Sequence, residues 1–325
     1  MAEDEIDWEI PEAAQPKPEE FAFDLDRALQ SVVGIQATIP DDAFTAQTLG
    51  TQRGGSGVVI RDSGLVVTIG YLITEAEMVW ITTADGHAIR GTVAAYDQET
   101  GFGLVQALGR LGVPPIPIGK SADLENGAPL VIAAGGRRHS VSARLIARQE
   151  FPGSWEYLLD EALFTAPLHP FWGGAAAIDQ HGKLVGIGSL HVQQSVPGGQ
   201  PRDINMIVPI DLLTPILDEL LTYGRPNHPA RPWIGAYSGE GEGRVMIAGV
   251  LAKGPAAQAG VRVGDIVWSV RNEAVGSLAD FYRKLWASGS AGVEIPIELV
   301  RDGRTLWVRV KSRDRGAMLK KSPLQ

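Results

Sequence analysis

The chain has 325 residues, enough for two or three domains with cores of their own, and 44% of them are hydrophobic. It contains no cysteine, which excludes disulfides, thiolate metal sites and thiol nucleophiles. Its formal net charge of −9 resides in residues 1–26, which hold ten acids and one basic residue, Lys17, so no basic surface for nucleic acid is implied.

The acidic opening lacks the basic and apolar regions of a secretory signal. No apolar run approaches the ~20 residues of a membrane span. The expectation is a cytoplasmic protein without a membrane span. Residues 1–22 mix acids with Pro11, Pro16 and Pro18 and read as a flexible, solvated leader. Trp8, Ile10, Phe21 and Phe23 are apolar anchors within or beside it, through which it could order against another subunit or a basic partner.

A short helix is expected over 24–30 and a first strand over 31–35. Between 57 and 224 follow many short apolar runs, among them 58–60, 65–69, 79–83, 88–95, 104–108, 130–133, 141–147, 174–178, 184–190 and 204–208. Asp62-Ser63-Gly64, Asp85-Gly86 and His181-Gly182-Lys183 supply turns between them, which argues for an all-β barrel or sandwich. A helix over 211–221 closes the region, with Pro215 near its first turn. Residues 225–232, rich in proline, read as a linker. In the last domain, 233–312, strands are expected over 245–251, 265–270, 293–301 and 305–310. Ser277 caps a helix whose Leu278, Phe281 and Leu285 share one face, and Asp302-Gly303 joins the last two strands. Residues 313–325 read as a basic tail.

Gly55-Ser56-Gly57-Val58-Val59-Ile60, Gly182-Lys183-Leu184-Val185-Gly186-Ile187, Arg231-Pro232-Trp233-Ile234-Gly235 and Gly254-Pro255-Ala256-Ala257-Gln258-Ala259-Gly260 occur in a telling order. Over about residues 24–312 the chain resembles the HtrA family of trypsin-like proteases. The resemblance implies a mainly β protein, a trypsin-like double β-barrel over 23–224 followed by a C-terminal PDZ domain. It sets Tyr71, Gly101 and Trp172 where the family carries its histidine, aspartate and serine, and Pro170 where an oxyanion-hole amide is expected. Acyl transfer needs a nucleophile, a base and an orienting group within reach of one another. These positions therefore read as a degenerate triad, and the chain is expected not to be an enzyme.

Ser189 and His191 lie at i, i+2 on one expected strand and read as a polar pair on an exposed face, without an orienting acid. The six histidines show no i, i+3 or i, i+4 pairing, so no metal site is expected, and no cofactor. His169 reads as a loop residue. Arg137-Arg138-His139 reads as a solvated hairpin tip. Trp172 reads as a plug in the cleft or, with Tyr71 and Phe171, as an aromatic contact surface.

The PDZ resemblance implies that amides near Trp233, Ile234, Gly235 and Ala236 receive a peptide's terminal carboxylate, with Leu278 and Tyr282 meeting its side chains. The counter-reading is a groove closed by the chain itself. The expected function is a non-enzymatic peptide- or protein-binding or complex-assembly module, whose partners are C-termini of proteins or peptides. A homotrimer or hetero-complex would form through the N-terminal segment. The alternatives are an active trypsin-like serine endopeptidase with an unrecognised nucleophile, an accessory subunit of a larger enzyme complex, and a holdase.

Overall fold

In this computed structural model residues 8–194 and 200–320 are described. Alternation of apolar and polar residues with frequent turns makes the chain mainly β, and its strands close into two six-stranded antiparallel barrels and one open sheet. After a short helix α1 (Leu25–Gln30), the first barrel comprises β1 (Val32–Thr38), β2 (Gln52–Arg61), β3 (Leu65–Ile69), β4 (Met78–Thr82), β5 (Ala88–Tyr96) and β6 (Phe102–Ala107), with α2 (Ala46–Leu49) between β1 and β2. The second comprises β7 (Pro129–Ala133), β8 (Ser140–Gly153), β9 (Tyr157–Ala166), β10 (Ala176–Asp179), β11 (Leu184–Gln194) and β12 (Arg202–Pro209). Helix α3 (Leu217–Tyr223) follows.

The chain divides into two compact units, and the division is not a simple cut after α3. Residues 150–160, the tip joining β8 to β9, belong with 227–319, and Lys320 belongs with the barrels. The second unit contains β13 (Ala236–Gly241), β14 (Arg244–Val250), α4 (Pro255–Gln258), β15 (Ile266–Val270), β16 (Glu273–Ala274), α5 (Leu278–Trp286), β17 (Glu294–Arg301) and β18 (Arg304–Lys311). The Ser277 side chain accepts the Asp280 amide and starts α5, whose Leu278, Phe281 and Leu285 enter the core. Asp302 and Gly303 both have positive φ, 50° and 72°, as the two-residue turn between twisted strands requires.

Two expectations fail for identifiable reasons. The helix expected over 211–221 is broken: a 3₁₀ turn spans Ile210–Leu212 and α3 begins only at Leu217. Pro215 offers no N–H and disfavours helical backbone at Thr214.

The leader, as far as it is described, is not free. Ile10 is 5% exposed in the core of the second barrel, and its amide donates to the Arg138 carbonyl at 2.8 Å. Glu9 pairs with Arg138 at 2.9 Å and Asp26 with Arg137 at 2.8 Å, so the basic turn meets the acidic segment rather than solvent alone. Phe23 packs over Gly182 and beside Phe21, with ring centres 5.3 Å apart. Burial of these apolar anchors overrides the solubility that the acids suggest. The part of the leader expectation that falls on residues 1–7 lies outside the described residues.

The basic tail as far as residue 320 is likewise tied: Arg313 exchanges backbone hydrogen bonds with Trp233, and the Lys320 amide donates to Glu75, while 321–325 lie outside the described residues. Among the described residues no helix is long and apolar enough to cross a membrane.

Candidate functional site

In the first unit the resemblance points to the seam between the barrels. β3 ends in a 3₁₀ turn, Gly70–Leu72, that carries Tyr71. The Tyr71 hydroxyl donates to the Ser189 carbonyl of β11 at 2.9 Å. Burial pushes this phenol above its ordinary pKa, while a hydrogen bond with the Trp172 side chain pulls the other way. Gly101 lies alongside, its carbonyl accepting the Gly70 amide at 2.7 Å. Tyr71, Gly101 and Trp172 are thus brought to one place.

The loop before β10 is held closely. The Ser56 amide donates to the Gly173 carbonyl at 2.8 Å and the Gly174 amide to Gly188 at 2.9 Å. Gly174 has φ of 79°, and a Cβ there would fall 1.8 Å from the Ser56 carbonyl oxygen, so this approach requires glycine.

Phe171 does not join the aromatic surface expected of it. It stacks on Trp8 of the leader at 3.8 Å between ring centres and remains 48% exposed. Trp172 instead lies 5.4 Å from the His191 ring and is half-buried rather than a sealed plug. Pro170 is exposed.

His169 is fully buried and not an idle loop residue. Its amide donates to the Asn205 side chain at 2.7 Å, and its Nδ1 accepts the Phe171 amide at 3.1 Å. With Nδ1 accepting, Nε2 carries the proton and faces the His139 carbonyl at 3.0 Å. Burial lowers its pKa and favours this neutral form.

Ser189 and His191 do not share a face as their spacing suggests. A bulge between Gly188 and Leu190 makes Ser189 the extra residue, leaving it 4% exposed while His191 is on the surface. The acid that the sequence reading lacked is Asp203, whose carboxylate lies 2.7 Å from His191 Nε2. It sits on the neighbouring strand in a register that places His191 opposite Asn205. A separate cleft of about 910 Å³ lies between the leader and the Arg137–His139 turn; Tyr71, Gly101 and Trp172 do not line it. Among the described residues no group of three or more His, Asp or Glu side chains could hold a metal ion.

In the second unit the chain before β13 bends at Gly235, φ 74°, and turns three successive amides to one side. Ile234, Gly235 and Ala236 donate at 3.0, 2.8 and 3.1 Å to a single carboxylate, that of Glu156. Glu156 is 6% exposed, and burial pushes its carboxyl up to about 7 against the pull of these amides and of Arg315. Trp233 and Leu278 are buried, and Tyr282 is fully enclosed. Of the four residues expected beside a carboxylate, Ile234, Gly235 and Ala236 turn their amides to this internal one, whereas the Trp233 amide donates to the Arg313 carbonyl at 3.0 Å. Glu156 itself carries no sequence signal, because an acid in a hairpin tip is ordinarily solvated.

Paired six-stranded barrels followed by a six-stranded sheet with a capped helix define a trypsin-like peptidase joined to a PDZ module. A model of the trypsin-like peptidase domain matches residues 55–187, and one of the PDZ domain matches 232–312. The chain is 26% identical over 310 residues to the serine endoprotease DegS of Salmonella typhimurium, covering 90% of this chain and 85% of that protein. Against DegS of Escherichia coli it is 26% identical over 79% of this chain and 75% of that one. A probable periplasmic DegP-like endoprotease of Pseudomonas fluorescens is 25% identical, and the match spans 54% of its length. Among solved structures, the serine endoprotease from Yersinia pestis matches with a TM-score of 0.53 at 23% identity, over 90% of this chain and 98% of that one. The HtrA-type protease AlgW with tripeptide gives 0.54 at 18%, over 95% and 99%. The chain thus carries a trypsin-like peptidase domain followed by a PDZ domain, and it is similar to HtrA-type proteases over most of its length.

One expectation is corrected by these comparisons. The chain was expected not to be an enzyme, yet the relatives it follows over most of its length are named serine endoproteases, which points to an enzyme.

Proposed function

We propose that this chain is a polypeptide-handling member of the serine-endoprotease family that receives protein C-termini through its PDZ domain. The observation that carries the reading is the convergence of the Ile234, Gly235 and Ala236 amides on one pair of carboxylate oxygens. Such a nest of backbone donors suits a terminal carboxylate, and the adjoining edge of β13 suits an added strand. Retention of a peptide pool with free carboxyl ends should exceed that of the same pool amidated. Equal retention of the two would sink the reading.

Hydrolysis is the reaction that the relatives' names suggest, and one geometric observation favours looking for it. His191 and Asp203 form an imidazole–carboxylate pair beside Trp172, the pairing by which a base is oriented in acyl transfer. A fluorophosphonate probe, followed by peptide mapping, should mark one serine of the native chain, and His191→Ala should abolish both labelling and casein turnover. Absence of any specific label and of turnover would remove this second reading.

A further inference from the structure

The carboxylate receptor of the PDZ domain is filled from within its own chain. The β8–β9 tip, residues 150–160, lies in the same compact unit as that domain. Its backbone behaves as a ligand strand would, the Ser154 carbonyl accepting the Ser238 amide of β13 at 2.8 Å. Its side chain at Glu156 supplies the carboxylate. The Tyr282 hydroxyl of α5 donates to the Gly153 carbonyl at 2.8 Å, and Leu158 packs against the core. Arg283, one residue further along α5, bonds Glu150 at 2.5 Å and also Asp160, so one guanidinium holds both ends of the tip. Glu156 has φ of 59°, a left-handed backbone that non-glycine residues rarely adopt and that persists only where contacts over-determine it.

We infer that residues 153–158 are an internal ligand of the PDZ groove, with the Glu156 side chain standing where a peptide's terminal carboxylate binds, so that an outside C-terminus binds only by displacing this tip. The inference rests on the peptide-receptor reading above and adds the regulation of that site. Two carboxylates cannot share the same three donors without severe like-charge repulsion. The affinity for an outside peptide is therefore reduced by the fraction of molecules whose groove is empty.

The test is a fluorescent decapeptide pool, randomised over its last four positions, with free or amidated ends, titrated into the 325-residue chain and its Glu156→Ala and Glu156→Gln variants. Glu156→Ala should bind the free-carboxyl pool about tenfold or more tightly than the parent, with Glu156→Gln between them. Hydrogen exchange at the Ile234, Gly235 and Ala236 amides should accelerate in Glu156→Ala. Equal affinity of parent and Glu156→Ala for the free-carboxyl pool overturns the internal ligand but leaves the receptor standing. Failure of both proteins to bind that pool, with the amides exchanging freely in Glu156→Ala, removes the receptor and the inference with it. Should Glu156→Ala misfold, Arg283→Ala loosens the tip without touching the amides. The same gain in affinity is expected of it, and no gain overturns the inference.

Discussion

Glu75 gives the sharpest test of how the barrel unit holds the segment that carries Tyr71. Its carboxylate is 8% exposed and accepts four donors: the Phe44 amide at 2.9 Å, the Thr45 amide at 2.7 Å, the Thr45 hydroxyl at 2.6 Å and the Lys320 amide at 2.8 Å. Arg53 extends the network, donating to Thr45 Oγ1 at 2.8 Å and to the carbonyls of Tyr71 and Thr74 at 2.8 and 3.1 Å. Hydrogen bonds to a charged group contribute about 1.5–3 kcal/mol each, but members of one network are not additive. Glu75→Ala should therefore cost about 3–5 kcal/mol, since it leaves enclosed donors without an acceptor. At about 2–4 °C per kcal/mol for a unit of this size, calorimetry should show Tm falling by about 6–20 °C. Glu75 also has φ of 65°, so Glu75→Gly should be about 1 kcal/mol more stable than Glu75→Ala. A Glu75→Ala protein melting within about 2 °C of the parent, or more stable than Glu75→Gly, would refute the reasoning. The pH dependence has a definite sign. Burial raises the Glu75 carboxyl, but the Lys320 amide, the Thr45 hydroxyl and the amides of Thr45 and Phe44 outweigh it and hold it below its ordinary value. Stability from this group is thus complete above the ordinary carboxylate range and is lost as pH falls through the depressed value, and Glu75→Gln should remove that part of the acid sensitivity.

Ile10→Ala should cost about 2–4 kcal/mol of leader docking, read as accelerated exchange of the Ile10 amide; unchanged protection there would mean that the side chain does not hold the leader. His169 is depressed by burial, so stability is complete above its unfolded pKa of about 6.5 and is lost as pH falls toward the lower folded value. Urea unfolding at mildly acidic and mildly alkaline pH should show that loss in the parent and a smaller one in His169→Gln. Asp265 is fully buried and accepts from Arg301 through two contacts, at 2.6 and 2.7 Å, so Asp265→Ala should cost about 1.5–3 kcal/mol, the guanidinium left behind being partly exposed. Adding Arg301→Ala should recover part of that loss, and strict additivity of the two in thermal melts would contradict a coupled pair.

The sequence by itself determined the sequence-local features of this protein. Short apolar runs between glycine turns specify an all-β barrel or sandwich, Ser277 starts α5, and Asp302-Gly303 turns β17 into β18, because each depends on neighbours a few residues away; the pairing of two barrels came from the family resemblance. The amides at 234–236 were expected only through the family resemblance of Arg231-Pro232-Trp233-Ile234-Gly235, not from local propensity. Tertiary structure alone decided what those pieces meet. Asp203 reaches His191 through strand register, and the bulge at Ser189 undoes the face that alternation assigned to it. Ile10 enters a barrel core through contacts more than a hundred residues away in sequence. Glu156 finds its three amides across about 80 residues of chain. An acid at a hairpin tip looks like any solvated charge until the fold brings three unpaired donors to it, and nothing in its local sequence encodes that encounter.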